Sequence, residues 1–99
     1  MPMDKNSLTE IIEDSLADCS QAQREFFASI RVDFYPVPIR RLGKLESVLV
    51  IADFNDSLVY YEDIEEGFAI DQLDDQGAIP KQDCSQFELR HVLYQLQSD

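Results

Sequence analysis

A β-hairpin signature near the middle of the chain limits the fold more than any other feature of the sequence. The run VLVI at 48–51 combines β-branched and large apolar residues in a stretch too short for a helix. Asn55 and Asp56 follow it, and both residue types tolerate the positive φ of a two-residue hairpin turn. Such a turn predicts three cross-strand pairs: Asp53 with Leu58, Ile51 with Tyr60, and Leu49 with Glu62.

Helical patterns precede this hairpin. The stretch SLTEIIEDSLADC predicts a helix over 8–19, with Ser7 and Glu10 as a capping box, because its apolar residues recur at the spacing of one helical face. The stretch after it predicts a second helix capped by Ser20, unless one bent helix continues through both. Residues 1–6 lack this periodicity and are expected to be frayed.

A third helix is predicted at the end of the chain, within CSQFELRHVLYQL. Ser85 and Glu88 have the spacing of a second capping box. The apolar residues after them would form one buried stripe, which consists of Leu89, Val92, Leu93 and Leu96.

Two prolines mark the segment before the hairpin as extended. Pro36 and Pro38 exclude a helix interior and push their preceding residues into extended conformations. We therefore expect 31–44 to be an ordered linker that ends at a turn at Gly43 and shields part of one sheet face. After the hairpin, GFAIDQL predicts a third strand, and AIP predicts a brief edge strand that stops at Pro80.

Predicted helices precede and follow the predicted antiparallel strands in the sequence. This order predicts one α+β domain over 1–99. The expected architecture is a two-layer sandwich of three or four strands, with the N-terminal helices and the C-terminal helix on one face.

The charge of the chain restricts its partners. Twenty acids against eight bases give a net charge of −12, which repels nucleic acid and anionic membrane surfaces. Cationic partners are expected instead. The start of the sequence carries no apolar run typical of a signal peptide, so we expect a cytoplasmic protein with free thiols at Cys19 and Cys84.

The residue types that carry most catalytic chemistry are scarce. His91 is the one histidine, and two helical turns separate it from Cys84, which argues against a catalytic pair. The stretch DQLDDQG at 71–77 lacks the ligand spacing of a calcium-binding EF-hand loop. We therefore expect no catalytic residues, no cofactor and no metal site. Protein binding is favoured over the two other functions considered, weak divalent-cation binding and a small enzyme.

The acids concentrate in one part of the sequence. Between Leu45 and Pro80 there are ten acids and no lysine or arginine. From this region we predict a partner-binding surface with Tyr61 as its aromatic anchor. Its residues are Tyr61, Glu62, Asp63, Glu65, Glu66, Asp71, Asp74 and Asp75. A solvated strand edge that resists aggregation by charge is the alternative.

A basic cluster lies just before the acidic region, at Arg31, Arg40, Arg41 and Lys44. If the two regions occupy different faces, one copy's bases would engage another copy's acids, and we therefore expect a homodimer. Pairing of the two regions within one chain would instead leave a monomer.

The stretch FFASIRVDFYPVPIRRLGKLESVLVIADFNDSLVYYEDIEEGFAID resembles a family of small uncharacterised bacterial proteins. The shared features are a lead-in of the form IRV…Y…PIR…GLE, an apolar strand, and a YYED-EEGF segment. Here the lead-in spans 30–46, with Lys44 between glycine and leucine, and the segment spans 60–68. The resemblance implies no activity and no catalytic residues. In size, acidity and layout the chain is also similar to immunity proteins, which neutralise cognate bacterial toxins, although no motif is shared.

These observations favour a non-enzymatic domain that binds a basic protein, as an acidic inhibitor or immunity-type protein would. The alternative is an adaptor or oligomer-forming domain in which the acidity is incidental.

Overall fold

The computed structural model describes residues 4–41, 43–62, 67–80 and 87–97. Within them the elements are α1 (Lys5–Leu16), α2 (Gln21–Ile30), β1 (Arg31–Arg41), β2 (Lys44–Phe54), β3 (Ser57–Glu62), β4 (Gly67–Asp71) and α3 (Leu89–Gln97). The strands form an antiparallel sheet in the order β1-β2-β3-β4, and the helices pack on one of its faces. The predicted α+β class is confirmed. No helix within these ranges has the length and apolar character needed to cross a membrane.

Helix α1 begins at Lys5, earlier than its sequence pattern predicts. Asp4 is the N-cap, and its carboxylate accepts a 2.7 Å hydrogen bond from the amide of Ser7. The predicted capping box of Ser7 and Glu10 is therefore wrong, because Ser7 already lies in the first helical turn. Residues 5 and 6 belong to the helix rather than to a frayed end, and residues 1–3 lie outside the described ranges.

Helix α2 is a separate helix, which excludes a single bent one. The Ser20 hydroxyl accepts a 3.1 Å hydrogen bond from the backbone amide of Gln23. In return, the side-chain oxygen of Gln23 accepts a 2.9 Å hydrogen bond from the backbone amide of Ser20. This reciprocal capping box satisfies two amides that would otherwise lack helical partners. The helix then buries Phe27 and Ile30 against the sheet.

The proline-containing segment is strand β1 rather than a linker. It pairs with β2 from Arg31 to Arg41. The Pro38 carbonyl faces the outer edge of the sheet, where it accepts a 2.8 Å bond from the Ile79 amide. The nitrogen of Pro38 faces the same way, so this proline removes no hydrogen bond to β2. Gly43, at φ 77°, lies in the predicted turn between the strands.

The predicted hairpin turn is confirmed. Asn55 and Asp56 have φ values of 51° and 68°, and Asp53 lies opposite Leu58 as expected. The register then shifts between Val50 and Ala52. Beyond the shift the cross-strand pairs are Val50 with Tyr60 and Leu49 with Tyr61, so the other two predicted pairs are wrong. The extra residue lets the successive residues Ile51 and Ala52 both join the helix-side core.

The sheet separates two buried clusters. On the helix side, residues from all three helices pack against the sheet, among them Leu8, Ile12, Phe27, Ile51, Val59, Tyr61, Phe68, Leu89, Val92, Leu93 and Leu96. The predicted stripe of α3 is thus confirmed, while Ser85 of its predicted capping box lies outside the described residues. The opposite side, which we call the second face, carries Val37, Ile39, Val48, Val50, Leu58, Tyr60, Ala69 and Ile79.

Residues 72–80, which we call the return segment, cover part of the second face. After edge strand β4 this segment returns to β1, the other edge, where Ile79 forms a parallel bridge with Ile39. Ala78 is 2% exposed and Ile79 is fully buried. The expectation that 31–44 shields this face is therefore wrong, and the predicted edge strand at AIP is a single bridge.

Candidate functional site

Tyr61 is buried and is not exposed to a binding partner. It is 7% exposed, and its ring packs edge to face with Phe68 at 5.2 Å between centroids. Tyr61 points towards the helices, so the next residue, Glu62, points towards the second face, where it is 5% exposed. Both positions are covered, which corrects the expectation of an exposed aromatic anchor. Asp63, Glu65 and Glu66 lie outside the described residues.

Asp71 is partly buried at the end of β4. It lies opposite Leu58 and accepts a 2.8 Å bond from the Gln72 amide. Burial raises the pKa of its carboxyl group, and the hydrogen bond opposes that shift. The ionised form is therefore less stable here than in the unfolded chain.

Asp74 organises the return segment. One carboxylate oxygen accepts hydrogen bonds from the backbone amides of Gln76, at 2.9 Å, and Ala78, at 3.1 Å. The other accepts a 3.0 Å bond from Nε of Arg40 on β1. The Ala78 amide and the Arg40 guanidinium hold the pKa of Asp74 below its ordinary value. Asp74 therefore connects the return segment to the sheet within the chain.

Replacing Asp74 by alanine should destabilise the fold in a pH-dependent manner. We expect Tm at neutral pH to fall by about 4–8 °C, since the amide of buried Ala78 loses an acceptor. Because the folded pKa is lowered, the stabilisation is present above the unfolded pKa of about 3.9 and is lost as pH falls through the folded value. Thermal melts between pH 2 and pH 7 should show the difference from wild type shrinking with acid.

Asp71→Asn is the control. The folded pKa of Asp71 is raised, so its charge should destabilise the fold, whereas the charge of Asp74 stabilises it. This variant should be as stable as wild type or more stable at pH 7, and the difference should vanish below the unfolded pKa. A destabilisation by Asp74→Ala that stays constant down to pH 2 would contradict the role assigned to its charge.

Two exposed acids, Asp53 and Asp56, lie close together in sequence at the β2–β3 turn. An open groove of about 570 Å³ lies there, which we call the turn groove. Among the described residues, those that line it are Asp53, Asp56, Leu58, Gln72 and Leu73. Sequence reasoning included Asp53 and Asp56 among the acids but missed them as a site. The available signal was their position on either side of Asn55, in a turn that must project from the sheet.

The carboxylate of Asp53 acts on a neighbouring side chain of the second face. Asp53 pairs with Leu58 and therefore points to the second face, as Tyr35 does. Burial raises the pKa of the Tyr35 hydroxyl, and the negative charge of Asp53 raises it further. The turn groove therefore carries a negative potential that favours cations.

Most described arginines contact groups within the chain. Arg40 binds Asp74, Arg90 binds Glu88 at 2.8 Å, Arg24 donates to the carbonyls of Leu16 and Cys19, and the Arg31 guanidinium lies 5.2 Å from the Phe27 ring centroid. By contrast, Asp53, Asp56 and Asp75 are exposed and have no ion pair with another described residue. Arg40 thus pairs with an acid of its own chain, which is the alternative to pairing between two copies. The homodimer stays a prediction.

No group of three or more His, Cys, Asp or Glu side chains among the described residues is placed to hold a metal ion. The thiol of Cys19 is free and buried, and it donates to the Ser15 carbonyl at 3.5 Å. Burial raises its pKa, which disfavours the reactive thiolate. His91 is exposed and lies 3.8 Å from the carboxylate of Glu88. Cys84 lies outside the described residues.

No protein-family model, curated protein or solved structure matches this chain significantly. The resemblance to small bacterial proteins therefore stays a prediction, and the groove, its charges and its lining are the observations from which a function can be proposed.

Proposed function

We propose that this chain is a non-enzymatic, acidic protein-binding domain that engages a basic protein, as an inhibitor or immunity-type protein does. The observation that carries the proposal is the imbalance between engaged arginines and exposed carboxylates. Arg40 and Arg90 pair within the chain, whereas Asp53, Asp56 and Asp75 face solvent without an ion pair among the described residues. A net charge of −12 would speed association with a cationic surface.

The opposing explanation is that the acids only keep the chain soluble or are incidental, as in an adaptor or oligomer-forming domain. That explanation expects no partner whose binding depends on particular carboxylates. Binding of a basic protein through these residues expects the reverse, because charge pairs removed from water at an interface contribute to specificity.

Affinity capture from an extract of the source cells, at moderate salt, distinguishes these explanations. The test variant is Asp53→Asn, Asp56→Asn and Asp75→Asn together. Glu62 is left unchanged because it is buried, so its replacement would confuse binding with folding. We expect the wild type to retain a basic protein and the test variant to lose it.

The matched control changes three exposed acids of α1, namely Glu10→Gln, Glu13→Gln and Asp14→Asn. Its net charge equals that of the test variant, and we expect it to retain the basic protein. If no basic protein is captured, or if all three baits retain the same one, the proposed function is wrong.

A further inference from the structure

The turn groove has a mixed lining that restricts what it can bind. Leu58 is 7% exposed, whereas Leu73 is 44% exposed, so apolar surface remains accessible beside the carboxylates. Asp53 and Asp56 are exposed members of the same lining. A groove with an apolar wall and anionic groups suits a ligand that combines a cation with apolar surface.

Charge complementarity selects the occupant. No described lysine or arginine lines the groove, and the basic residue Lys44 begins β2 while Asp53 lies near its other end. Nine residues of strand separate these two charges by about 30 Å. Arg31 lies nearer, because it pairs with Ala52 beside Asp53, but its guanidinium lies over the Phe27 ring on the helix side. We therefore expect the cation that complements the groove to come from a partner.

We infer that the turn groove is the contact site for an arginine-containing segment of the basic partner, with a branched apolar residue beside the arginine. The guanidinium would lie between Asp53 and Asp56, and its aliphatic stem and the apolar neighbour would cover Leu58 and Leu73. Arginine fits better than lysine because its guanidinium is more weakly hydrated and presents several donors to carboxylates. This inference rests on the proposed function and names the partner chemistry that its site accepts.

Titration of the isotope-labelled protein with the acetylated, amidated pentapeptide GLRLG tests the inference by NMR. We expect amide shifts confined to 53–58 and 72–73. A second peptide replaces the arginine by citrulline, its uncharged isostere, and should bind about five- to tenfold more weakly. The variant Asp53→Asn/Asp56→Asn should lose affinity for GLRLG by a similar factor, and Leu73→Ser should also weaken it.

The control Glu13→Gln/Asp14→Asn carries the same charge change on α1 and should bind GLRLG as the wild type does. The inference is wrong if GLRLG shifts no amide of the groove, if citrulline binds equally well, or if the control weakens binding as much as the groove variant. Such a failure would leave the proposed function intact if the protein-capture experiment still separated the test variant from its control.

Discussion

Replacing Ile79 by alanine should lower the free energy of unfolding by about 2–5 kcal/mol, the range for truncation of a buried isoleucine. Ile79 is fully buried and bridges to Ile39. Its side chain joins the second-face cluster, so truncation leaves a cavity where the return segment meets the sheet. Urea denaturation followed by circular dichroism measures the loss.

Leu73→Ala is the control within the return segment, because Leu73 is largely exposed. Its cost should be below about 1 kcal/mol, as for other exposed substitutions. Equal losses for the two variants would show that the return segment does not pack on the second face as described.

Replacing Phe27 by alanine should have an effect at least as large on the helix-side core. Phe27 is 1% exposed and belongs to the cluster that joins the helices to the sheet. Truncation of a buried phenylalanine costs about 3–5 kcal/mol, which is a large fraction of the stability of a small domain. If the alanine variant does not fold, Phe27→Leu should still fold with a smaller loss in the same urea experiment.

Phe26→Ala is the matched control on the same helix. Phe26 is only partly buried and packs edge to face on Phe54, at 5.3 Å between ring centroids. We expect it to cost less than Phe27→Ala. A greater cost at Phe26 would contradict the orientation of α2 on the sheet.

Local sequence signals predicted the three helices, the hairpin of β2 and β3, and β4, but neither strand β1 nor how the chain covers the sheet. Helices α1 and α3 and the turn at Asn55 are determined by residues close together in the sequence. Their local sequence patterns were therefore sufficient to predict them. The bridge of Ile79 to Ile39 joins residues forty positions apart, and local sequence contains no signal for it. The prolines of β1 were misleading because an outer strand edge tolerates them, and only the tertiary structure shows which strand lies at the edge.

The candidate site was predicted less well than the fold, for a related reason. The density of acids along the sequence does not give their exposure. Tyr61 and Glu62 point to opposite faces of a sheet that is covered on both sides, so both are buried. Asp74 is engaged by Arg40 through a contact that the sequence cannot place. Asp53 and Asp56 flank Asn55 at the hairpin turn and are exposed.

The affinity of the captured basic protein for matched charge variants decides whether the turn groove is the partner-binding site. Calorimetric titration at about 0.15 M salt, where screening acts over about 8 Å, limits the effect of distant charges. We expect Asp53→Asn/Asp56→Asn to weaken binding by about tenfold or more, whereas Glu13→Gln/Asp14→Asn should stay within about twofold. Equal losses for both pairs would mean that only net charge matters, and would contradict a partner-binding site at the turn groove.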